Sequence, residues 1–292
     1  MQLNSVLNLS DMGSFHHRKE WEVNKALETL KHFGVTAERK RILGVGAGHE
    51  PTIFLLLASG AEVIATDLYN DAGMWADTAD AEMLTAPEKF VPEGLIVDLS
   101  RLTVQHADMC ELPFEDNSFD GVFSSGSIEH VGSFENVARA AREIGRVLKP
   151  GGICSLSTEW KIAGAGFGWD GVLLFDEVSL NRYLIEPSGL LPVDAPYLTV
   201  HPETFVNAAV LEDIVRTRQM PDLETALVSA TWGYTFTSIH LALRKPFVGI
   251  EPEQPSAEAA TVVSSVEAAT GDVNQTASVS TPTKLKVRSR SK

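Results

Sequence analysis

Cysteine is nearly absent. Cys110 and Cys154 are the only two in 292 residues, which leaves no material for a disulfide framework or a Cys-rich zinc site. Both read as reduced structural thiols, Cys154 inside an expected central strand. Long apolar runs are missing as well: no stretch approaches the ~20 residues of a membrane span, and the first 17 residues lack the basic-then-apolar order of a secretory leader. A cytoplasmic protein without a membrane span is expected. Positive charge is also scarce. With 24 Lys and Arg against 39 Asp and Glu, the net charge is -15, which argues against a nucleic-acid partner, because phosphate binding needs clustered cations. Residues 251–292 contain no aromatic side chain and balance Glu251, Glu253, Glu258, Glu267 and Asp272 against Lys284, Lys286, Arg288, Arg290 and Lys292. That composition predicts a disordered tail.

One further absence is diagnostic. Residues 42–54, ILGVGAGHEPTIF, followed by AEVIATD ending at Asp67, read as buried strand, glycine turn, helix and second strand closed by a carboxylate. In an open α/β sheet this builds a nucleoside crevice at the carboxyl ends of the strands. A dinucleotide site wants GxGxxG. Counted from Gly44 and Gly46 the third glycine is His49, and counted from Gly46 and Gly48 it is Pro51. What remains is Gly46-Ala47-Gly48 with Glu50 where a pyrophosphate would lie, which suits a ligand carrying an amine better than one carrying phosphates.

Elsewhere, short apolar segments alternate with helical periodicity. A helix is expected over 18–33, with Val23, Ala26, Leu27 and Leu30 inward. Strands are expected at 41–45, 61–66, 102–107, 119–124 and 152–157, and a helix capped by Ser133 carries Val137, Ala141, Ile144 and Leu148. This alternation predicts an α/β fold with a doubly wound parallel sheet.

Three more stretches bear on family: ADMCELPFEDNSFDGVFSSGSIEHV (107–131), RVLKPGGICSLST (146–158) and SIHLALRKP (238–246). With the glycine turn, they resemble, in order, the small-molecule branch of the class I S-adenosylmethionine-dependent methyltransferases, over most of residues 41–158. The resemblance implies a Rossmann-like, mostly parallel seven-stranded sheet with helices on both faces and an antiparallel last strand. It also implies S-adenosyl-L-methionine as cofactor, with no metal. Residues 1–40 then contribute an N-terminal segment and helix to the catalytic domain, and 41–250 form the methyltransferase domain. Insertions fall near 70–100 and 160–235.

The resemblance also implies roles. Gly44, Gly46, Ala47 and Gly48 form the cofactor turn, Asp67 holds the ribose, and Leu68 and Tyr69 pack on the adenine. Asp108 and Met109 meet the adenine edge, and Ser124, Ser125 and Gly126 face the methionine part. The family usually carries an acid at the position of Gly44. Glu50 is a candidate replacement, in which case an acid restored at 44 should rescue Glu50→Gln; the other reading is that Glu50 only favours a helix N-terminus through the dipole. His130 is the leading base candidate, with Glu129 beside it and Glu159 and Trp160 just past the fifth strand; a site-shaping role for the Glu-His pair is equally open. His16 and His17 read as solvated histidines. AGAGFGWDG (163–171) reads as a mobile loop, and Trp169, Phe175, Tyr183 and Tyr197 offer aromatic surface to an acceptor or pack an inserted helix near 177–185. Trp75 anchors the other insertion.

The expected activity is methyl transfer to oxygen or nitrogen of a small-molecule or glycan-type acceptor. A cofactor-binding regulatory protein without transfer is the alternative, and a nicotinamide oxidoreductase is disfavoured by the missing glycine. Deleting residues 251–292 should leave the melting temperature unchanged within about a degree, since a segment without aromatics buries little apolar surface. Differential scanning calorimetry of the full chain and of a chain ending at Ile250 checks this; a loss of several degrees would show that the tail docks.

Overall fold

A computed structural model describes residues 16–69, 78–196, 198–200, 209–210, 225–226 and 228–247. The expected tail, Trp75 and Tyr197 lie outside the described residues. Helix α1 (Arg18–His32) is followed by strand β1 (Arg41–Val45), helix α2 (Pro51–Ala58) and strands β2 (Glu62–Asp67) and β3 (Leu102–His106). Strand β4 (Phe119–Ser125), helix α3 (Phe134–Val147) and strand β5 (Leu148–Ala163) complete the parallel half. Strands β6 (Val228–Thr231) and β7 (Tyr234–Arg244) close the other edge.

The strands stand in the order β6-β7-β5-β4-β1-β2-β3. Pairing is parallel from β5 to β3 and antiparallel at β7. The seven expected strands are therefore present, but the sheet has nine. Two short segments are added: Ala209–Val210 pairs with β6, and Leu191–Pro192 pairs with β7. Both lie in the second insertion, where no apolar periodicity marks them.

Two buried clusters cover the sheet faces. On one, α1 and α2 bring Leu27, Leu30, Ile53, Phe54 and Leu56 against Ile42, Val63 and Phe123. On the other, Val137, Ile144 and Val147 of α3 meet Leu43, Val122 and Leu156. Ser133 caps α3 by accepting the Asn136 N–H, as its position before the apolar stripe predicts. α2 is nearly all apolar because it is buried nearly all round.

β5 is far longer than the expected 152–157. The extension forms because β7 pairs with it all the way to Thr235↔Ala163, which sequence periodicity within β5 alone does not reveal. Glu159 and Trp160 are consequently inside the strand, Glu159 opposite Ser238, and not past its end. The segment after it is also a correction. Where a mobile loop was expected, Gly168–Trp169 and Val172–Leu173 form a hairpin about Asp170-Gly171, a dipeptide suited to a two-residue turn. The inserted helix is present as Glu177–Leu180, continued by a π-helical turn at Asn181–Ile185.

No helix among the described residues is long and apolar enough to cross a membrane. Packing of the Glu186–Ser188 turn that follows the π-helical segment depends on Gly145 of α3. A Cβ there would lie 1.9 Å from the Ser188 carbonyl oxygen, and backbone cannot yield as a side chain can. Gly145→Ala should lower unfolding free energy by about 1 to 3 kcal/mol or more, read from urea denaturation; unchanged stability would mean that the Ser188 segment is not seated on α3.

Candidate active site

The turn after β1 is built by local sterics. Gly46 and Gly48 have φ of +61° and +48°, a region that favours glycine. A Cβ on Gly48 would come within 2.2 Å of the Thr78 carbonyl oxygen, and one on Gly46 within 2.6 Å of Ser127 Cβ and 2.8 Å of Met109 Cε. Ala47 is buried between them, and its N–H bonds to the Thr66 carbonyl.

Asp67, at the end of β2, ties this turn to the sheet. Its Oδ2 accepts the Gly48 N–H and its Oδ1 the Leu68 N–H, both at 2.7 Å. Two oriented oxygens with lone pairs to spare suit a vicinal diol. Leu68 beside it is 40% exposed, an apolar side chain at the surface. Tyr69 differs from expectation: it is buried, and its hydroxyl donates to the Gly48 carbonyl at 2.6 Å. It supports the turn and cannot also pack on a ligand. Asp108 is exposed after β3 and accepts the Cys110 N–H, while Met109 sits against Gly46.

Gly44 is the clearest correction. A Cβ there would stand 2.6 Å from Phe123 Cζ and 2.8 Å from Ala47 Cβ. No acid fits, so Gly44→Asp would disrupt β1 and cannot serve as a rescue. Glu50, by contrast, occupies the N-cap position of α2 without making a side-chain cap. Its Oε1 is buried with no hydrogen-bond partner, and burial, opposed by Lys19, pushes its pKa up to about 8. A carboxylate left this way fits a cationic ligand group. The Ser124 and Ser125 hydroxyls, buried at the end of β4, likewise have no hydrogen-bond partner.

Across the crevice lie the three expected catalytic residues. Glu129 and His130 sit on the short turn Ile128–His130 after β4. His130 Nδ1 is 2.8 Å from the Gly171 carbonyl oxygen, which only accepts, so Nδ1 carries the proton and neutral His130 keeps its lone pair on Nε2. Burial lowers the His130 pKa, which favours that neutral form. Nε2 is 3.9 Å from Glu129 Oε1, and Thr158 Oγ1 donates to Glu129 Oε2 at 3.0 Å. Glu159 pairs with Arg18. Burial raises the pKa of both Glu129 and Glu159.

Sequence reasoning missed the contribution of α1. Arg18 reaches Glu159, and Lys19 donates to the Ser125 carbonyl at 2.7 Å and pairs with Glu22 at 2.8 Å. Glu22, only 2% exposed, accepts from the Ser238 hydroxyl. A signal existed: Lys19 and Glu22 continue the inward stripe of Val23, Ala26 and Leu30 at helical spacing, and charges on an apolar stripe need partners across it. Of the aromatic candidates, Phe175 is core and Tyr183 stacks on Phe134 at 4.9 Å. Trp169 packs on Phe236 and Tyr234 beside Arg18.

Residues 43–156 match a family model described as a methyltransferase domain. The chain is 34% identical over 122 residues to a demethylmenaquinone methyltransferase of Clavibacter sepedonicus, covering 41% of this chain and 42% of that one. It is 32% identical over 155 residues to a chloroplastic tocopherol O-methyltransferase of Arabidopsis thaliana, covering 51% and 38%. The chain thus spans about two fifths of the length of these relatives. A solved structure of a putative sarcosine dimethylglycine methyltransferase from Galdieria sulphuraria aligns with a TM-score of 0.48 at 20% identity, over 78% of this chain and 85% of that one.

The unpartnered Glu50 has a pH consequence. Its raised folded pKa means that the stability it contributes is fully present below the ordinary carboxylate range and is lost as pH rises through about 8. Glu50→Gln should therefore lose less stability than the parent between pH 5 and 9, with a difference on the order of 3 kcal/mol at the upper end. Urea titrations at both pH values measure it. Parallel curves for the two proteins would mean that Glu50 is solvated.

Proposed function

We propose that this chain, whose residues 43–156 match a methyltransferase-domain model, is a class I S-adenosylmethionine-dependent methyltransferase that transfers a methyl group from S-adenosyl-L-methionine to oxygen or nitrogen of a small-molecule acceptor. The observation that carries the reading is Asp67, whose two oxygens are fixed by the Gly48 and Leu68 N–H groups at the mouth of a glycine turn. A ribose diol fits those oxygens. Leu68 offers its exposed face to the adenine, with Asp108 and Met109 at the ring's edge. Glu50, with its orphaned Oε1, would take the cofactor's ammonium, the role expected of an acid at 44. The Ser124 and Ser125 hydroxyls line the methionine part.

When bound, the cofactor supplies an electrophilic methyl on a sulfonium sulfur. The chain's residues have then to place a nucleophile in line behind that methyl, exclude water and remove a proton where the nucleophile carries one. Nε2 of His130, with the Nδ1 proton committed to Gly171, is set to accept that proton. The hairpin at 168–173 thereby positions the base. Glu129 and Glu159, buried and with raised pKa values, form the wall against which the acceptor sits. A demethylmenaquinone methyltransferase and a tocopherol O-methyltransferase among the relatives support a small organic acceptor, and a glycan-type acceptor belongs to the same proposal.

Isothermal titration with S-adenosylhomocysteine tests the cofactor assignment. Asp67→Ala should weaken binding roughly tenfold to a hundredfold, the effect of losing a charged hydrogen-bond acceptor worth about 1.5 to 3 kcal/mol. Equal affinity in a variant that remains folded would remove Asp67 from the site, and no binding by the parent protein would overturn the reading.

A further inference from the structure

Under the first turn of α1, three carboxylates meet two cations. Glu22, Glu129 and Glu159 are 2%, 0% and 6% exposed. Glu22 is matched by Lys19 and Glu159 by Arg18. Glu129 has the Thr158 hydroxyl on Oε2, but its Oε1 is buried without a hydrogen-bond partner, directed over Gly126. Three carboxylates against two cations leave one negative charge in excess whenever His130, whose Nε2 is 3.9 Å from Glu129 Oε1, is neutral, the form that burial favours by lowering its pKa. Leaving a carboxylate buried and uncompensated is costly.

The cofactor of the proposed function does not balance this charge. Its sulfonium, ammonium and carboxylate sum to one positive charge, which Glu50 offsets. The remaining charge calls for a cation from another source, or for a proton.

A second observation favours the cation. Arg18 already shows how this place receives one: its guanidinium pairs with Glu159 and lies 5.1 Å from the Phe236 ring centroid. Phe236 is packed by Trp169 at 5.6 Å, and Trp169 by Tyr234 at 5.8 Å. A carboxylate beside a group of tilted aromatic rings is chemistry that can recognise alkylammonium groups. The Ser125 and Ser157 hydroxyls, 3% and 1% exposed and paired in register at the end of β4 and inside β5, have no hydrogen-bond partners. They can accept from the N–H groups of a ligand.

We infer that the methyl acceptor is a small amine bound as its ammonium ion, held by the unpartnered Glu129 Oε1 and by the Ser125 and Ser157 hydroxyls, with Trp169 as its aromatic neighbour. The inference rests on the methyl-transfer reading above. In the step it describes, one ammonium proton moves to the Glu129 carboxylate or to Nε2 of His130, which frees the nitrogen lone pair. The N–C bond forms as the S–C bond breaks and sulfur keeps the electron pair. The products are a methylated ammonium ion and S-adenosylhomocysteine, and the positive charge passes from sulfur to nitrogen.

The test compares two soluble isosteres, choline and the uncharged 3,3-dimethylbutan-1-ol, by ligand-observed NMR titration in the presence of saturating S-adenosylhomocysteine. The ammonium compound should bind at least tenfold more tightly, and Glu129→Gln should shrink the preference to threefold or less. A variant that still binds S-adenosylhomocysteine is folded, and the comparison on the unaltered protein needs no variant at all. Equal affinity, a preference for the alcohol, or binding of neither compound would overturn the inference while leaving the cofactor reading intact. Absence of S-adenosylhomocysteine binding would overturn both. In a parallel mass-spectrometric screen, methylation of amines and not of matched alcohols is expected; methylation of alcohols alone sinks the proposal.

Discussion

The pairing of Arg18 with Glu159 is the contact on which the site's geometry turns, because it docks an otherwise ordinary amphipathic helix beside the carboxyl end of β4, Glu159 of β5 and the Phe236–Ser238 stretch of the antiparallel β7. Without it, Glu159 would be a carboxylate inside a strand, 6% exposed and opposite Ser238. Breaking a buried pair by removing one partner commonly costs ~3 to 5 kcal/mol, since the remaining charge stays buried. Lys19 and Glu22, paired within the helix, add contacts to the Ser125 carbonyl and the Ser238 hydroxyl. The helix is thus held by charge at its first turns and by Val23, Leu27 and Leu30 beyond them. Its polar end closes the chemistry in, and its apolar end belongs to the core.

Most of the parallel half of the fold was legible because each element carries its own signal. β1 has the expected bounds, and the Ser133 cap is where the spacing puts it. The glycine turn and Asp67 are legible for the same reason: their chemistry is local, within about one strand-turn-helix-strand unit. What was not legible depends on partners distant in sequence. The length of β5 is set by β7, some 80 residues away, and the fold of the 163–171 segment is set by pairing and by contacts such as Lys161 to the Gly166 carbonyl. Arg18 and Glu159 are 141 residues apart, and neither residue announces the other.

Gly44 shows how a departure from a family's pattern acquires a physical reason. Phe123 on the neighbouring strand fills the space that a side chain at 44 would need, so the core and the acid exclude one another. In the proposed reading a carboxylate at residue 50 avoids that clash, in different surroundings. An N-cap acid normally gains from the helix dipole and from capping N–H groups. Glu50 makes no such cap, and its Oε1 stays buried without a hydrogen-bond partner.

Burial of carboxylates recurs throughout the site. Glu50, Glu129 and Glu159 all have pKa values raised by burial, so each is easier to protonate in the folded chain than in water. Such groups cost folding free energy wherever they must be charged without a counter-ion. They also make a bound cation worth more, because the ligand relieves a penalty that the fold has already accepted. Solvent-exposed carboxylates of equal number would attract the same ligands with far less energy, screened by water and salt. The depth at which α1 seals these acids therefore decides how strongly the site distinguishes a charged ligand from a neutral one of the same shape.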